Sequence, residues 1–127
     1  LYEIRPEQPY SSADLDWTNK KSRSTVEMND PNCRPAIASS VQDMDQYDTI
    51  MVGFPIWWYV EPRIIDTFLE NYDFSGKTLI PFATSGGSSI DKAEKSLHAH
   101  CPKASWLKGQ LLSGSGAADW AKRILQG

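Results

Sequence analysis

Thr49-Ile50-Met51-Val52-Gly53-Phe54-Pro55-Ile56-Trp57-Trp58-Tyr59-Val60-Glu61-Pro62-Arg63 contains the end of one element, a loop, and the start of the next. The apolar run from Thr49 to Phe54 has the length and β-branched content of a buried strand. Pro55 cannot donate to a sheet ladder and ends it, whereas Pro62 suits the first turn of a helix, where its missing amide hydrogen costs nothing. Between them Trp57, Trp58 and Tyr59 stand in a loop. Loops run over the surface, so three consecutive aromatics there call for an explanation. The C-terminal end of a strand followed by a loop and a helix is where open α/β sheets bind ligands. The aromatics suggest a flat ligand on which rings can stack.

Downstream, Ile64, Ile65, Phe68, Leu69 and Tyr72 recur at helical spacing and define one apolar face. Gly76 closes that region, and Thr78-Leu79-Ile80-Pro81-Phe82-Ala83-Thr84 reads as a second strand. Pro81 removes one ladder bond, which predicts an irregularity or a shielded edge there. Two strands with a helix between them make a βαβ crossover, hence an α/β layer architecture with a mostly parallel sheet. A serine at 88 or 89 is expected to cap a helix with Asp91 in its first turn and Ile90, Ala93 and Leu97 inward. Trp106 to Leu112 reads as a strand region, and Ser115 to Gln126 as a terminal helix with Ala117, Ala121, Ile124 and Leu125 inward.

Upstream the signals are thinner. Leu1-Tyr2-Glu3-Ile4 alternates as a half-exposed strand would, up to Pro6. Ser11 or Ser12 is placed to cap a helix carrying Leu15, Val26 and Met28. Asn29-Asp30-Pro31-Asn32 is a turn, and the segment from Arg34 leads to a turn or brief helix near Met44.

The chain has 127 residues, 40% hydrophobic and 23% charged, which suits one globular domain spanning 1–127. No apolar run is as long as a membrane span, and no signal-peptide pattern opens it. A net charge of −3 argues against a nucleic-acid partner. Lys20-Lys21-Ser22-Arg23 is the one basic run and reads as a solvated helix face. Cys33 and Cys101 have neither CxxC spacing nor metal-ligand neighbours, so a reducing, cytoplasmic setting is expected.

Gly53-Phe54-Pro55-Ile56-Trp57-Trp58-Tyr59-Val60, followed by Ile80-Pro81-Phe82-Ala83-Thr84-Ser85-Gly86-Gly87-Ser88, resembles the flavodoxin family, in its bacterial flavodoxin-like or NAD(P)H-dependent FMN oxidoreductase form. The likeness runs from roughly Leu1 to Gln126. It implies a flavodoxin-like three-layer fold in which Leu1 to Ile4 would be the second strand of the family's sheet. The family's first strand, phosphate loop and first helix have no counterpart here. The simplest reading is that Leu1 lies inside a longer protein; a second is that another chain or a rearrangement fills the gap. Either way the FMN phosphate site is expected to be incomplete in this chain.

The resemblance assigns cofactor contact to two loops. Pro55, Ile56, Trp57, Trp58 and Tyr59 would lie against the isoalloxazine ring, where an indole can stack and exclude water. Packing under the following helix is the plainer alternative. Thr84, Ser85, Gly86, Gly87 and Ser88 would aim backbone amides at the ring edge, where they stabilise negative charge on reduced flavin. A plain strand-to-helix turn would explain that loop equally well if it stood alone. Glu61, Arg63, Asp73 and Asp91 read as solvated charges. His98 and His100, spaced i, i+2, do not share a helical face and suit the helix C-terminus, so no metal site is expected. Asn32 to Ile37 reads as a loop, and no catalytic residue stands out.

The expected function is electron transfer by an FMN flavoprotein, with a redox protein or a small-molecule electron acceptor as partner. An FMN-dependent NAD(P)H reductase of quinones or similar molecules is the alternative. A flavodoxin-fold module without cofactor or redox role is a third reading, and neither nucleic acid nor membrane is expected as a partner.

Overall fold

The computed structural model describes residues 2–85, 87–112 and 117–126. Strand β1 (Thr49–Pro55) runs parallel to β2 (Thr78–Thr84), paired without interruption from Thr49–Thr78 to Pro55–Thr84. Helix α2 (Arg63–Glu70) connects them, and Ile64, Ile65, Phe68 and Leu69 bury its inner face. Gly76 turns the chain into β2 at φ 77°, a conformation that favours glycine. The expected βαβ unit is present, and the fold is α/β with a mostly parallel open sheet.

The far side of β2 shows what Pro81 does. Strand β3 (Ser105–Trp106) pairs with Thr78 and Leu79, and β4 (Gln110–Leu111) pairs with Phe82 and Ala83. The break between them lies opposite Ile80 and Pro81. In a parallel ladder every second residue of β2 offers both its backbone groups to that side. Leu79 accepts from Leu107 N at 2.9 Å and Ala83 from Leu112 N at 2.8 Å. Pro81 is the residue between these two and has no hydrogen to give, so the third strand leaves the ladder there and rejoins it beyond.

Side-chain alternation sorts the two faces of the sheet. Val52, Phe54, Leu79 and Ala83 join the cluster that also contains the inner faces of α2 and of α3 (Asp91–His100), with Ala93 and Leu97 fully buried. Phe82 points to the other face and packs on Trp120 of α4 (Ala117–Gln126), ring centroids 5.9 Å apart. Helices therefore cover both faces, which is the expected three-layer arrangement. Trp120 is the buried anchor of α4, while Ala121 and Ile124 are half-buried. Leu1, Gly86, Ser115 and the side chains of Ala117 and Leu125 lie outside the described residues.

Three expectations fail. Tyr2 to Ile4 form no ladder; the segment meets the rest of the chain through a Pro6–Ile37 bridge, with Ala38 N bonded to Arg5 O at 2.8 Å. Alternation supplies a face but no partner, and among the described residues none of the strands pairs with it. The first helix, α1 (Arg23–Asn29), begins after Ser22, whose hydroxyl accepts from Thr25 N, and the stretch after Ser11 is a series of turns. Leu15 and Val26 are exposed, and only Met28 of the expected apolar set is buried. Helix α3 starts after Ile90 with no side-chain cap, so neither Ser88 nor Ser89 caps it; the serine hydroxyl that bonds backbone here is Ser85, within the preceding loop.

Candidate functional site

The two loops singled out in the sequence come together at the C-terminal ends of β1 and β2. Pro55 and Thr84 are cross-strand neighbours, and Ile56 N donates to Thr84 O at 2.9 Å. From there Trp57 and Val60 exchange two backbone bonds, of 2.9 and 3.2 Å, closing a tight four-residue turn. Its central residues, Trp58 and Tyr59, have φ of 50° and 75°. Two consecutive positive φ values define the mirror-image turn that normally takes glycine and asparagine. Bulky residues there carry backbone strain of about 1–2 kcal/mol each. Strain of this kind persists where surrounding structure enforces it, and it concentrates at functional sites.

The hydrogen-bonded turn holds the rings out. Trp58 is 46% exposed and Tyr59 58%, so neither packs under the following helix. Lys92, in the first turn of α3, places its ammonium 4.7 Å from the Tyr59 ring centroid. Trp57 turns inward and meets Tyr10 edge-on at 5.5 Å. Tyr10 is itself clamped, its hydroxyl donating to Glu27 Oε1 and the Arg23 guanidinium lying 3.8 Å over its ring. Burial first, and then the Glu27 carboxylate, push the Tyr10 phenol well above its usual range. Tyr10, Arg23, Glu27 and Lys92 were not legible as site residues, because nothing local to them signals a neighbour so distant in sequence. Arg23 also ends the solvated basic run: it is engaged by Glu27 at 2.9 Å, and Ser22 is buried.

In the second loop Ser85 Oγ accepts from Gly87 N at 3.1 Å and from Ser88 N at 2.8 Å. The hydroxyl folds the loop back on itself beside the aromatic turn. Thr84, Ser85 and Gly87 are exposed, Ser88 is half-buried, and Gly86 lies outside the described residues. Behind the loop ends, the Phe82 ring lies over Gly53 so closely that a Cβ on Gly53 would fall 2.3 Å from it.

Glu61 and Arg63 overturn the reading as solvated charges. Glu61 is 0% exposed and Arg63 is buried, with its guanidinium donating to the carbonyls of Glu27 and Met28. The end of the aromatic turn brings Glu61 down between α2 and α3, a tertiary placement that a local charge pattern cannot show. Ser96 donates to its Oε2 at 2.9 Å. Burial, then a hydrogen bond to Asp66 and the charge of Asp66, push the Glu61 carboxyl up to about 9. His100 Nδ1 lies 2.8 Å from Ser96 O, one turn back along its own helix, while His98 packs beside Trp106. Asp73 and Asp91 are exposed, as expected.

The flavodoxin family model matches residues 1–126. A provisionally assigned flavoprotein from Bacteroides eggerthii is 50% identical with a TM-score of 0.90, the match covering 98% of this chain and 79% of that one. Its counterpart from Bacteroides uniformis is 53% identical with a TM-score of 0.90, covering 98% and 80%. A flavoprotein from Lactobacillus acidophilus, solved in complex with FMN, shares the fold at 20% identity and a TM-score of 0.64, over 87% of this chain and 75% of that one. No curated protein matches the chain. With a family match over nearly its whole length and relatives at half identity, this chain belongs to the flavodoxin family.

Proposed function

We propose that this chain holds the isoalloxazine ring of FMN and serves in electron transfer. The observation that carries the reading is the strained turn that presents Trp58 and Tyr59 half-exposed beside the Ser85 loop. Rings held out of the core at a cost in backbone energy are accounted for by a flat partner that covers them. The FMN complex of the distant relative supports the choice of flavin. Bound flavin would supply the redox chemistry, accepting and releasing electrons. The chain's own part is to bind and orient it. Pro55, Ile56, Trp57, Trp58 and Tyr59 would supply the apolar wall and exclude water, with Trp57 fixed from behind by Tyr10. Thr84, Ser85, Gly86, Gly87 and Ser88 would offer backbone donors toward the polar ring edge, where negative charge gathers on reduction.

The carrier role, with a redox protein as partner in a reducing cytoplasm, is our first reading. A reductase using NAD(P)H and a small acceptor would employ the same face. Among the described residues, none of the helices is long and apolar enough to cross a membrane.

A titration of FMN into this chain and into the longer protein expected to contain it, followed by tryptophan fluorescence and flavin absorbance, tests the proposal, the longer protein deciding it. Saturable quenching that is lost in Trp58→Ala is expected, and absence of binding would sink the flavin reading and leave a module of the same fold without cofactor. Bleaching of the bound flavin by NADH or NADPH alone, at a rate that sustains turnover, would replace the carrier with the reductase.

A further inference from the structure

Glu61, Asp66 and His100 come from three separate segments: the end of the aromatic turn, the middle of α2 and the last residue of α3. Both carboxylates are 0% exposed. With both groups ionised, Glu61 Oε1 and both oxygens of Asp66 have no hydrogen-bond donor among the described residues. His100 Nδ1 lies 3.8 Å from Glu61 Oε2 and 3.6 Å from Asp66 Oδ1. One ligating atom from each of the three falls within 4.8 Å of the others.

The nearest arginine is poorly placed to serve these groups. Arg63 is the cation on α2, and its Nη1 is 3.8 Å from Asp66 Oδ2, too long for a hydrogen bond, while Nε and Nη2 serve the carbonyls of Glu27 and Met28. A proton shared between Glu61 and Asp66 pairs one oxygen of each and leaves the remaining Asp66 oxygen undonated in a buried site, which is costly unless a cation or further donors reach it. A metal with bonds of about 2.0–2.2 Å holds its ligand atoms about 3–4 Å apart, which is the spacing of Nδ1 from the two carboxylates. One imidazole nitrogen with two carboxylate oxygens suits a first-row transition ion better than calcium or magnesium, which prefer oxygen alone.

We infer that Glu61, Asp66 and His100 form a binding site for one divalent first-row transition ion, of the zinc or manganese class, with water in its remaining positions. His100 gives access: its side chain is 24% exposed and borders an open cleft of about 410 Å³ shared with Asp73, Cys101 and Lys103. Coordination through Nδ1 places the ring proton on Nε2 and gives up the contact with Ser96 O. The ion would tie the end of the aromatic turn to both helices. The site stands on these three residues and does not depend on flavin binding.

Cobalt(II) chloride is the probe, added to protein stripped with a chelator and followed by visible absorption, with zinc as competitor and as a second readout in thermal unfolding. Saturation at one ion per chain, displacement by zinc and a zinc-dependent rise in melting temperature are expected. Glu61→Gln and Asp66→Asn, close in shape to the native residues, should each weaken cobalt at least about tenfold, and His100→Gln should abolish its bands. Cys33→Ser and Cys101→Ser should leave the signal intact. No saturable signal below millimolar cobalt overturns the site, as does a signal lost in a cysteine variant and kept in His100→Gln.

Discussion

Gly109 is packed against Pro81 so tightly that a Cβ on the glycine would lie 2.7 Å from both Cγ and the carbonyl oxygen of the proline, and 3.1 Å from Ile90 Cδ1. The chain can leave the ladder at Pro81 and stay close to it only because the residue passing over the ring has no side chain. Gly109 N is held there by Glu94 Oε2 at 3.0 Å.

Gly109→Ala should therefore destabilise the protein by about 2–3 kcal/mol, the upper part of the range for overpacking, because a backbone atom and a closed ring cannot move aside. Gly53→Ala is the comparison. Its Cβ would meet the Phe82 ring at 2.3–2.9 Å, but that side chain is half-buried and able to swing, so the loss should be smaller. Urea unfolding of both variants checks the order through the midpoint at constant slope. Equal losses would show that the Pro81 crossing has more room than the distances allow.

At Trp58 a glycine and an alanine should separate two effects. Both remove the ring and should weaken FMN alike. Glycine alone relieves the positive φ, so Trp58→Gly should be more stable than Trp58→Ala by about 1 kcal/mol. Chemical unfolding of the apo forms measures the gap. A stability order reversed in favour of alanine would contradict strain at this turn.

Cys33 offers a check through pH. Burial, then the carboxylates of Glu27 and Asp30, push its thiol above the ordinary range, with Arg63 and Arg34 opposing. The reactive species is the thiolate, so a raised pKa lowers reactivity at any pH below it. Iodoacetamide labelling of Cys33 should climb about tenfold per pH unit and continue past about 8.5, where an unperturbed thiol levels off. Cys101 is buried and its thiol is also raised, by burial first, so it should label more slowly. Mass spectrometry of the labelled peptides distinguishes the two, and a plateau for Cys33 near pH 8 would refute the shift.

What could be read from the amino acids was what is encoded locally. β2 spans the seven residues expected of it, because an apolar run between Gly76 and the Ser85 loop leaves little choice of ends. Pro81 announced an irregularity, since a missing donor is a property of the residue itself. The inner face of α2 followed from its spacing. The first helix was misplaced because Ser11 and Ser22 are chemically equal caps, and only tertiary contact favours the later one. The juxtaposition of the two loops could be anticipated from strand ends and from family likeness. The clamp of Tyr10, Arg23 and Glu27 behind Trp57 could not, nor could the burial of Glu61 beside Asp66 and His100. Those depend on how segments far apart in the chain meet, which local pattern does not carry.

The register of β1 against β2 has a kinetic consequence. Every pair in that ladder joins residues about thirty positions apart, so no hairpin is available to start the sheet and the crossover loop must close first. The bond from Ile56 N to Thr84 O lies at the last rung of this same ladder. The aromatic turn and the Ser85 loop are therefore brought together by a single closure event, and a refolding chain should gain both halves of the site at one rate.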